Sequence, residues 1–275
     1  MITIQENLIF LKFFNNSAMN KILILIILCV MCLWLFSCEK IKGDGEFRDD
    51  VRFTAPFTGV SLSLDCIVTL DTVKVKPGTG SGNSGGTGDS LYSVKISAQD
   101  GLFEFIETSV SGGVLSIRFS EKKILTDHDP IRITVTAPEF NSLALYTPGT
   151  IIMDTPGIQY HPFLECNNTG SGTINLQNIR YSYVKIHNSG SGYVFCGGLG
   201  FMKKCNVESS GSGQIDLFKA TADSIWAISG GSGNISVSVN SYLNGTISAS
   251  GNIYYQTDTA TIISNDTGSG SMIPL

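Results

Sequence analysis

Apolar and polar residues alternate along most of the chain beyond residue 60, and this period-two pattern predicts strands rather than helices. One such run contains Leu62, Leu64, Cys66, Val68 and Leu70, with mostly polar residues between them. Similar runs cover residues 92–98, 102–108, 114–119 and 131–136. Since alternate side chains of a strand point to opposite faces, each run can bury one apolar face in a common core.

A Gly-Ser-Gly motif recurs through residues 148–275 at a nearly constant interval. Complete copies end at Gly172, Gly192, Gly213, Gly233 and Gly270, and degenerate copies end at Gly149 and Gly251. The interval of about 20 residues is typical of a solenoid in which each repeat forms one coil.

Apolar residues recur in step with the motif. An apolar residue follows two positions after each last glycine: Ile151, Ile174, Val194, Ile215, Ile235, Ile253 and Met272. Apolar pairs also occur eight and six positions before it, as in Leu164 with Cys166 and Val184 with Ile186. The pattern predicts one strand leading into the motif and one leading out of it. The predicted fold is therefore all-β, a β-solenoid of about 20-residue Gly-Ser-Gly repeats with an N-terminal β half, residues 49–147, packed as a cap.

The motif itself is interpreted as a structural corner. Glycine adopts positive φ angles at little cost, which permits a tight turn, and the hydroxyls of Ser171, Ser191, Ser212 and Ser232 are placed to bond from coil to coil. A phosphate site would need a following helix, which the pattern does not predict. A calcium repeat would need a regularly placed Asp, and Ile235 takes that position after one motif.

The N-terminus has the pattern of an export signal. Asn20-Lys21 precedes an unbroken apolar run over residues 22–36, which ends in Leu35-Phe36-Ser37-Cys38. We predict a lipoprotein signal peptide at residues 19–37, cleavage before Cys38 and lipid attachment there. Residues 1–18 are then an over-extended start, and residues 38–48 a tether from the outer membrane of the cell envelope. The alternative is a plain anchoring helix with a chance cysteine.

Composition and cysteine spacing exclude several classes of function. Charged residues are 15% of the chain and the net charge is -5, which argues against binding to nucleic acid. Cys66, Cys166, Cys196 and Cys205 can form disulfides in an oxidising compartment, but their patterns favour small buried hydrophobic side chains. Neither these cysteines nor the three histidines have the spacing of metal ligands, and no cofactor is predicted.

Outward positions of the repeats provide the test for catalysis. Seven residues before the last glycine the series is Glu165, Lys185, Asn206 and Trp226; three residues after it the series is Asn175, Phe195, Asp216, Ser236 and Tyr254. Neither series places two carboxylates on neighbouring coils, so we predict no enzyme activity. Glu165 and Lys185 are interpreted as a surface ion pair.

Aromatic residues at outward positions are the candidate ligand-binding residues. They are Tyr183, Tyr193, Phe195, Trp226 and Tyr254. Flat rings on a rigid sheet suit stacking against a glycan or contact with a partner protein. The alternative is that the N-terminal half covers them.

The Gly-Ser-Gly series, together with Phe57-Thr58-Gly59-Val60, residues 131–138 and Ile253-Tyr254-Tyr255, resembles the auto-transporter adhesin head, or GIN, domain family. The resemblance covers nearly all of the mature chain. It implies a β-helical, adhesin-like domain of unknown function that is common in exported proteins of Gram-negative bacteria. Repeats of the family usually place Asp after Gly-Ser-Gly, whereas this chain has Thr173, Tyr193, Gln214, Asn234 and Asn252. Any ligand bound by that Asp in relatives is therefore not expected here.

These observations predict a non-enzymatic cell-envelope lipoprotein, an adhesin-like module that binds a glycan or a partner protein. Two alternatives stay open at this point. One is a structural envelope protein that acts by self-association, and the other is a carbohydrate-active β-helix enzyme.

Overall fold

The computed structural model describes residues 40–73, 91–120, 124–154 and 160–275. The predicted start segment 1–18, the signal peptide 19–37, Cys38 and the Gly/Ser-rich segment 77–88 lie outside the described residues. Nearly all regular structure in the described part is β, with one short 3-10 helix at Asp100–Leu102.

The strands follow one another closely along the chain. In chain order they are β1 (Lys40–Lys42), β2 (Phe47–Phe53), β3 (Gly59–Ser63), β4 (Ile67–Thr72), β5 (Ser93–Gln99), β6 (Ile106–Ser111), β7 (Val114–Phe119), β8 (Ile124–Thr126), β9 (Arg132–Ala137), β10 (Ser142–Leu145), β11 (Thr150–Asp154), β12 (His161–Asn168), β13 (Thr173–Gln177), β14 (Arg180–Asn188), β15 (Tyr193–Cys196), β16 (Gly200–Ser209), β17 (Gln214–Ser229), β18 (Ile235–Ile247), β19 (Ile253–Gln256), β20 (Thr261–Asp266) and β21 (Met272–Pro274).

The chain divides into a small unit and a large one. The small unit contains residues up to Ile41 and Lys122–Thr126, and its described part, residues 40–41 and 124–126, belongs to strands β1 and β8, which pair with each other. There the Thr126 hydroxyl donates a hydrogen bond to the Ile41 carbonyl, at 3.3 Å. The large unit, Lys42–Glu121 with Asp127–Leu275, contains the solenoid.

Two faces of parallel strands form the solenoid. Face A consists of strands that lead into the corner motif, in the stacking order β7, β3, β10, β12, β14, β16, the end of β17, the end of β18 and β20. Face B consists of strands that lead out of it, in the order β9, β4, β11, β13, β15, the start of β17, the start of β18, β19 and β21. Each coil contributes one strand to each face.

The predicted core register is confirmed. Ile151, Ile174, Val194, Ile215, Ile235, Ile253 and Met272 pair with one another in series along face B. All but Met272, in the last coil, are fully buried. Leu164, Val184, Cys205 and Ile225 form the equivalent buried series on face A. The four cysteines are buried free thiols, as their patterns predicted. Burial raises the pKa of the Cys205 thiol to about 12.

The central coils contain a third segment that the sequence did not predict. Arg180–Tyr181, Phe201–Met202, Thr221–Ala222 and Ser238–Val239 pair in parallel before face A begins. Their second residues point inward, and the Tyr181 hydroxyl donates to the Phe140 carbonyl at 2.9 Å. Two consecutive outward residues, such as Lys203 and Lys204, then mark a second corner of the coil, which lies between the third segment and face A and is distinct from the Gly-Ser-Gly corner. This change of phase interrupts the alternation, which is why two strands were expected where three segments occur.

The N-terminal half closes one end of the stack and also contributes coils of its own. Strands β3 and β7 continue face A, and β4 and β9 continue face B, without a Gly-Ser-Gly corner. Antiparallel strands complete this end, with β5 on β9, β2 on β5 and β6 on β7.

The segment predicted as a tether, residues 38–48, is partly strand. It includes β1 and the first residues of β2, which is a strand at the outer edge of β5. Strand β2 could not be recognised from the sequence, because polar residues occupy the positions that face the rest of the protein. Arg52 donates to the carbonyls of Ile106, at 2.6 Å, and Phe103, at 3.3 Å, and these bonds replace apolar burial.

The corner glycines have a different role from the one predicted. The glycines with positive φ among the described residues are Gly45, Gly112 and Gly113, and none belongs to a corner motif. A Cβ at Gly192 would instead overlap the Gly172 carbonyl oxygen of the preceding coil, and a Cβ at Gly213 would overlap that of Gly192. Glycine is thus required because consecutive backbones stack in direct contact at the corner.

Buried polar side chains complete the corner from inside. Asn168, Asn188, Ser209 and Ser229 are fully buried and lie four residues before the last glycine. Asn168 and Asn188 each donate through Nδ2 to the carbonyl of that glycine, at 2.9 Å, and the Ser229 hydroxyl donates to the Gly251 carbonyl at 3.1 Å. The serines of the motif, predicted to bond between coils, are exposed. In the inner series, Ser229 bonds to the next coil, and Asn188 also does so by donating to the Gln214 carbonyl at 3.3 Å, whereas the 2.9 Å bonds of Asn168 and Asn188 lie within one coil.

The core register can be tested by placing a charge at the centre of face B. Ile215→Asp should unfold the large unit, because burying an unpaired carboxylate costs on the order of 5 kcal/mol, comparable to the stability of a whole domain. Circular dichroism during thermal unfolding would measure the loss. Gln214→Asp is the matched control, since the neighbouring side chain is exposed. A normally melting Ile215→Asp variant would refute the register.

The corner contact can be tested with two adjacent glycines. A Cβ at Gly231 would overlap the Gly211 carbonyl oxygen, whereas a Cβ at Gly230 would lie 3.7 Å from its nearest neighbour, the Ser248 hydroxyl. Gly231→Ala should therefore destabilise the unit by about 2 kcal/mol through overpacking. Gly230→Ala should leave the stability unchanged or slightly raised. Equal melting temperatures for the two variants would contradict the proposed reason for the motif.

Candidate functional site

The outer surface of face A has a column of large side chains that follows from the repeat. The position nine residues before the last glycine holds Phe163, Tyr183, Lys204, Ser224 and Tyr242 on five successive coils. Trp226 lies two residues beyond Ser224 on the same strand and the same side of the sheet. In-register parallel pairing sets these side chains about 4.8 Å apart along the stack.

The rings and the amine of this column are in contact. The ring centroids of Phe163 and Tyr183 are 5.5 Å apart, as are those of Trp226 and Tyr242. Between the two pairs, the Lys204 Nζ lies 4.4 Å from the Trp226 centroid and 5.6 Å from that of Tyr183. We refer to Phe163, Tyr183, Lys204, Trp226 and Tyr242 as the ring–lysine column. All five side chains are partly or fully exposed.

A second group of rings and cations lies on the third segment of the coils, across the second corner, which Lys203 and Lys204 mark. Tyr160 packs edge-on against Phe201, with the ring centroids 5.8 Å apart. Lys203 Nζ lies 5.2 Å and Arg180 Cζ 5.8 Å from the Tyr160 centroid. Because Lys203 and Lys204 are consecutive residues that both point outward, this group adjoins the ring–lysine column.

Two pairs of charged side chains lie elsewhere on face A. Lys185 Nζ lies 2.8 Å from Glu165 Oε1, which confirms the predicted surface ion pair. The hydrogen bond that Lys185 donates to Glu165 raises the pKa of Lys185. An exposed pair of this kind contributes under about 1 kcal/mol to stability. His187 Nδ1 lies 3.4 Å from Glu208 Oε2. Some charged side chains on this surface are therefore neutralised by a partner of opposite charge, whereas the charge of Lys204 is not.

The five aromatic residues singled out from the sequence fall into separate groups. Tyr183 and Trp226 share the ring–lysine column. Tyr193 and Phe195 lie on face B, where their rings stack with centroids 4.9 Å apart. Tyr254 is on the same face but three strands further along.

The face B tyrosines use their hydroxyls within the protein. The Tyr193 hydroxyl donates to Asp216 at 3.1 Å, and burial together with Asp216 raises the pKa of Tyr193 to about 12. The Tyr254 hydroxyl accepts a bond from Asn252 Nδ2 at 3.4 Å. Their rings are only partly exposed, and face B has no cation in contact with them among the described residues.

Three members of the column were missed from the sequence. Phe163, Lys204 and Tyr242 share with Tyr183 the position nine residues before the last glycine, so the repeat itself contained the signal. The outward series chosen from the sequence lay seven residues before and three after the glycine. The structure places both of those series in register, with no two carboxylates adjacent.

The described residues limit the chemistry of this surface. Among residues 40–73, 91–120, 124–154 and 160–275, no three His, Cys, Asp or Glu side chains come together as a metal site. Within the same ranges, no helix is long and apolar enough to cross a membrane. The ring–lysine column can stack against a flat apolar surface and can attract an anion.

A family model described as "Putative auto-transporter adhesin, head GIN domain" matches residues 86–258, more than half of the chain. The chain belongs to this family. The family description supports an adhesin-like, non-enzymatic role, and adhesin-like proteins act outside the cell or in its envelope. Among curated proteins, no sequence matches the chain.

Solved structures with the same fold come from Bacteroides fragilis and Parabacteroides distasonis. A protein of Bacteroides fragilis described as a putative adhesin is 16% identical, with a TM-score of 0.72. A Parabacteroides distasonis protein described as a putative lipid binding protein is 20% identical, with a TM-score of 0.65. Each match covers 86% of this chain and 100% of the other. At these identities, the likeness establishes the fold alone.

Proposed function

We propose that this GIN-family chain is a cell-envelope lipoprotein that binds a glycan through the ring–lysine column. The observation that carries the proposal is the run of contacting rings along face A, with one ammonium group between them. The proposal fits the adhesin-like character of the family.

A glycan suits this column for geometric reasons. Tyr183, Trp226 and Tyr242 extend from a hydrogen-bonded sheet, so little conformational entropy is lost when a ligand orders them. Their rings offer apolar surface to the C–H faces of sugars, and the tyrosine hydroxyls offer hydrogen bonds. The repeat extends the same contacts over successive coils, which matches a ligand that is itself a chain of similar units. A protein partner on this surface is the alternative outcome of the binding test.

Self-association through the end of the stack is less well supported. β20 and β21, the last strands of their faces, pair on one side only among the described strands. The positions that point inward in earlier coils hold Ser264 and Asp266 here, and Pro274 lies in β21. Inward polar residues and a proline without an N–H group disfavour edge-to-edge pairing, so these edge strands are poorly suited to pair with a second copy of the chain.

The membrane anchor is the second part of the proposal. The apolar run at residues 22–36 and the following Ser37-Cys38 support lipid attachment at Cys38. Attachment there would hold the solenoid at the outer membrane.

The binding face can be tested with a glycan array and polysaccharide pull-downs, comparing wild-type protein with Trp226→Ala. We expect the variant to bind at least about tenfold more weakly, as is common when a central aromatic anchor is truncated. Tyr254→Ala tests face B in the same assay and should bind like the wild type. Ile263→Ala is the control on face A, because Ile263 is exposed in the Trp226 series two coils away.

Two results would contradict this assignment. Loss of binding in Tyr254→Ala but not in Trp226→Ala, with both melting normally, would move the site to face B. Release of sugar from a polysaccharide would indicate an enzyme.

The anchor can be tested by metabolic labelling with palmitate and membrane fractionation. Cys38→Ala should lose the label and leave the membrane fraction, because the thiol that accepts the lipid is absent. Cys29→Ala is the control, since Cys29 lies inside the predicted signal peptide and would be removed with it. Unchanged labelling and membrane retention of Cys38→Ala would contradict the lipoprotein proposal.

A further inference from the structure

We infer that the glycan bound by this surface is acidic, with carboxylate or sulfate groups that bind Lys204 and, across the corner, Lys203 and Arg180. The inference rests on the proposed function, because it names the chemical class of the ligand for the same site. Three independent features carry it: the distribution of cations, their contacts and the state of the neighbouring carboxylates.

The basic residues of the repeat region are concentrated in a few coils. Between residues 148 and 275 they are Arg180, Lys185, Lys203, Lys204 and Lys219, all within 40 residues of one another in a chain of net charge -5. Lys185 is neutralised by Glu165, and the Lys219 ammonium donates to the Gly197 carbonyl at 3.1 Å. The other three, Arg180, Lys203 and Lys204, lie on either side of the second corner, beside the ring–lysine column.

Arg180, Lys203 and Lys204 contact rings instead of acids. Within the described part of the chain, none of the three has a carboxylate within 4.0 Å. A ring holds a cation through its quadrupole and does not cancel its charge. Lys204 is therefore fixed between Tyr183 and Trp226 with its full positive charge and its N–H donors available.

Three carboxylates on the neighbouring coils, Asp223, Glu165 and Glu208, contact residues other than these cations. Asp223, on the coil after Lys203 and Lys204, accepts a hydrogen bond from Asn240 at 3.3 Å. Glu165 is bound by Lys185, and Glu208 lies beside His187. An anion from outside the protein is thus the partner that the three cations lack.

The arrangement fits an acidic sugar better than a simple ion. A sugar unit can place its C–H face on a ring of the column while its acidic group reaches the adjacent ammonium. Lys203 and Lys204 are neighbours in sequence on either side of a corner, so two acidic groups of one chain can be bound at once. A neutral glycan would stack on the rings and leave the cations unpaired.

Matched polysaccharide pairs test the inference on the full-length protein in detergent micelles, with affinity measured by isothermal titration calorimetry. Polygalacturonate is compared with its methyl ester, and dextran sulfate with dextran. We expect at least one acidic member to bind about tenfold or more tightly than its neutral counterpart, and to weaken as salt is raised from about 50 to 500 mM. The two pairs separate a carboxylate ligand from a sulfate ligand.

Charge variants provide the second readout. Lys204→Gln should weaken binding of the preferred acidic glycan about tenfold, and Lys204→Arg should retain most of it because the charge is kept. Lys185→Gln is the control, since its charge is already neutralised by Glu165. Thermal melting of each variant verifies folding, and the arginine variant keeps the test valid if the glutamine variant unfolds.

Two outcomes overturn the inference. Equal affinity for acidic and neutral members, lost in both cases in Trp226→Ala, would leave glycan binding standing and show that the ligand need not be charged. Equal weakening in Lys204→Gln and Lys185→Gln would show a diffuse charge effect without a site at the corner. Absence of binding to every glycan, here and on the array, would instead contradict the proposed function itself.

Discussion

The direct contact between successive backbones at the Gly-Ser-Gly corner sets the geometry of the solenoid. At Gly192 and Gly213 no space is left for a single methyl group beside the carbonyl of the preceding coil. Hydrogen bonds continue through the corner, from Tyr193 N to the Gly172 carbonyl at 3.0 Å and from Gly213 N to the Gly190 carbonyl at 3.0 Å. The coils therefore remain in step from one face to the next, and every outward series, including the ring–lysine column, depends on that alignment.

Polar burial inside the corner supports the same alignment. A corner turns carbonyl groups toward the interior, where an unpaired polar group is costly. Asn168 and Asn188 satisfy such carbonyls from within the core, and serine takes over the position in the next two coils. The interior is thus mostly aliphatic at the faces and polar at this one edge. The exposed serine of the motif leaves the outer side of the corner small and flat.

The extent to which the sequence predicted this structure depended on the regularity of each part. The Ile174, Val194, Ile215 series was predictable because burial imposes a strict period on every coil. The third segment was not, because two consecutive outward residues at Lys203 and Lys204 break the alternation that marks a strand. Strand β2 was hidden for a related reason, since Arg52 satisfies its inner side by hydrogen bonds. At the candidate site, Tyr183 and Trp226 were identified because the alternation places them on the outer side of their strands. Lys204 could be recognised as part of the site only from its contacts with the rings on the adjacent coils.

The division between inward and outward residues has a consequence for how such a surface can change. Each coil supplies one side chain to the column, and that side chain takes no part in the core or in the Gly-Ser-Gly corner. Exchange of a single outward residue therefore alters the surface at that coil without disturbing the buried core or the Gly-Ser-Gly corner. Duplication or loss of a coil would lengthen or shorten the surface by one position. Relatives with the same fold can accordingly differ in ligand while sharing little sequence, and selectivity can drift coil by coil on an unchanged scaffold.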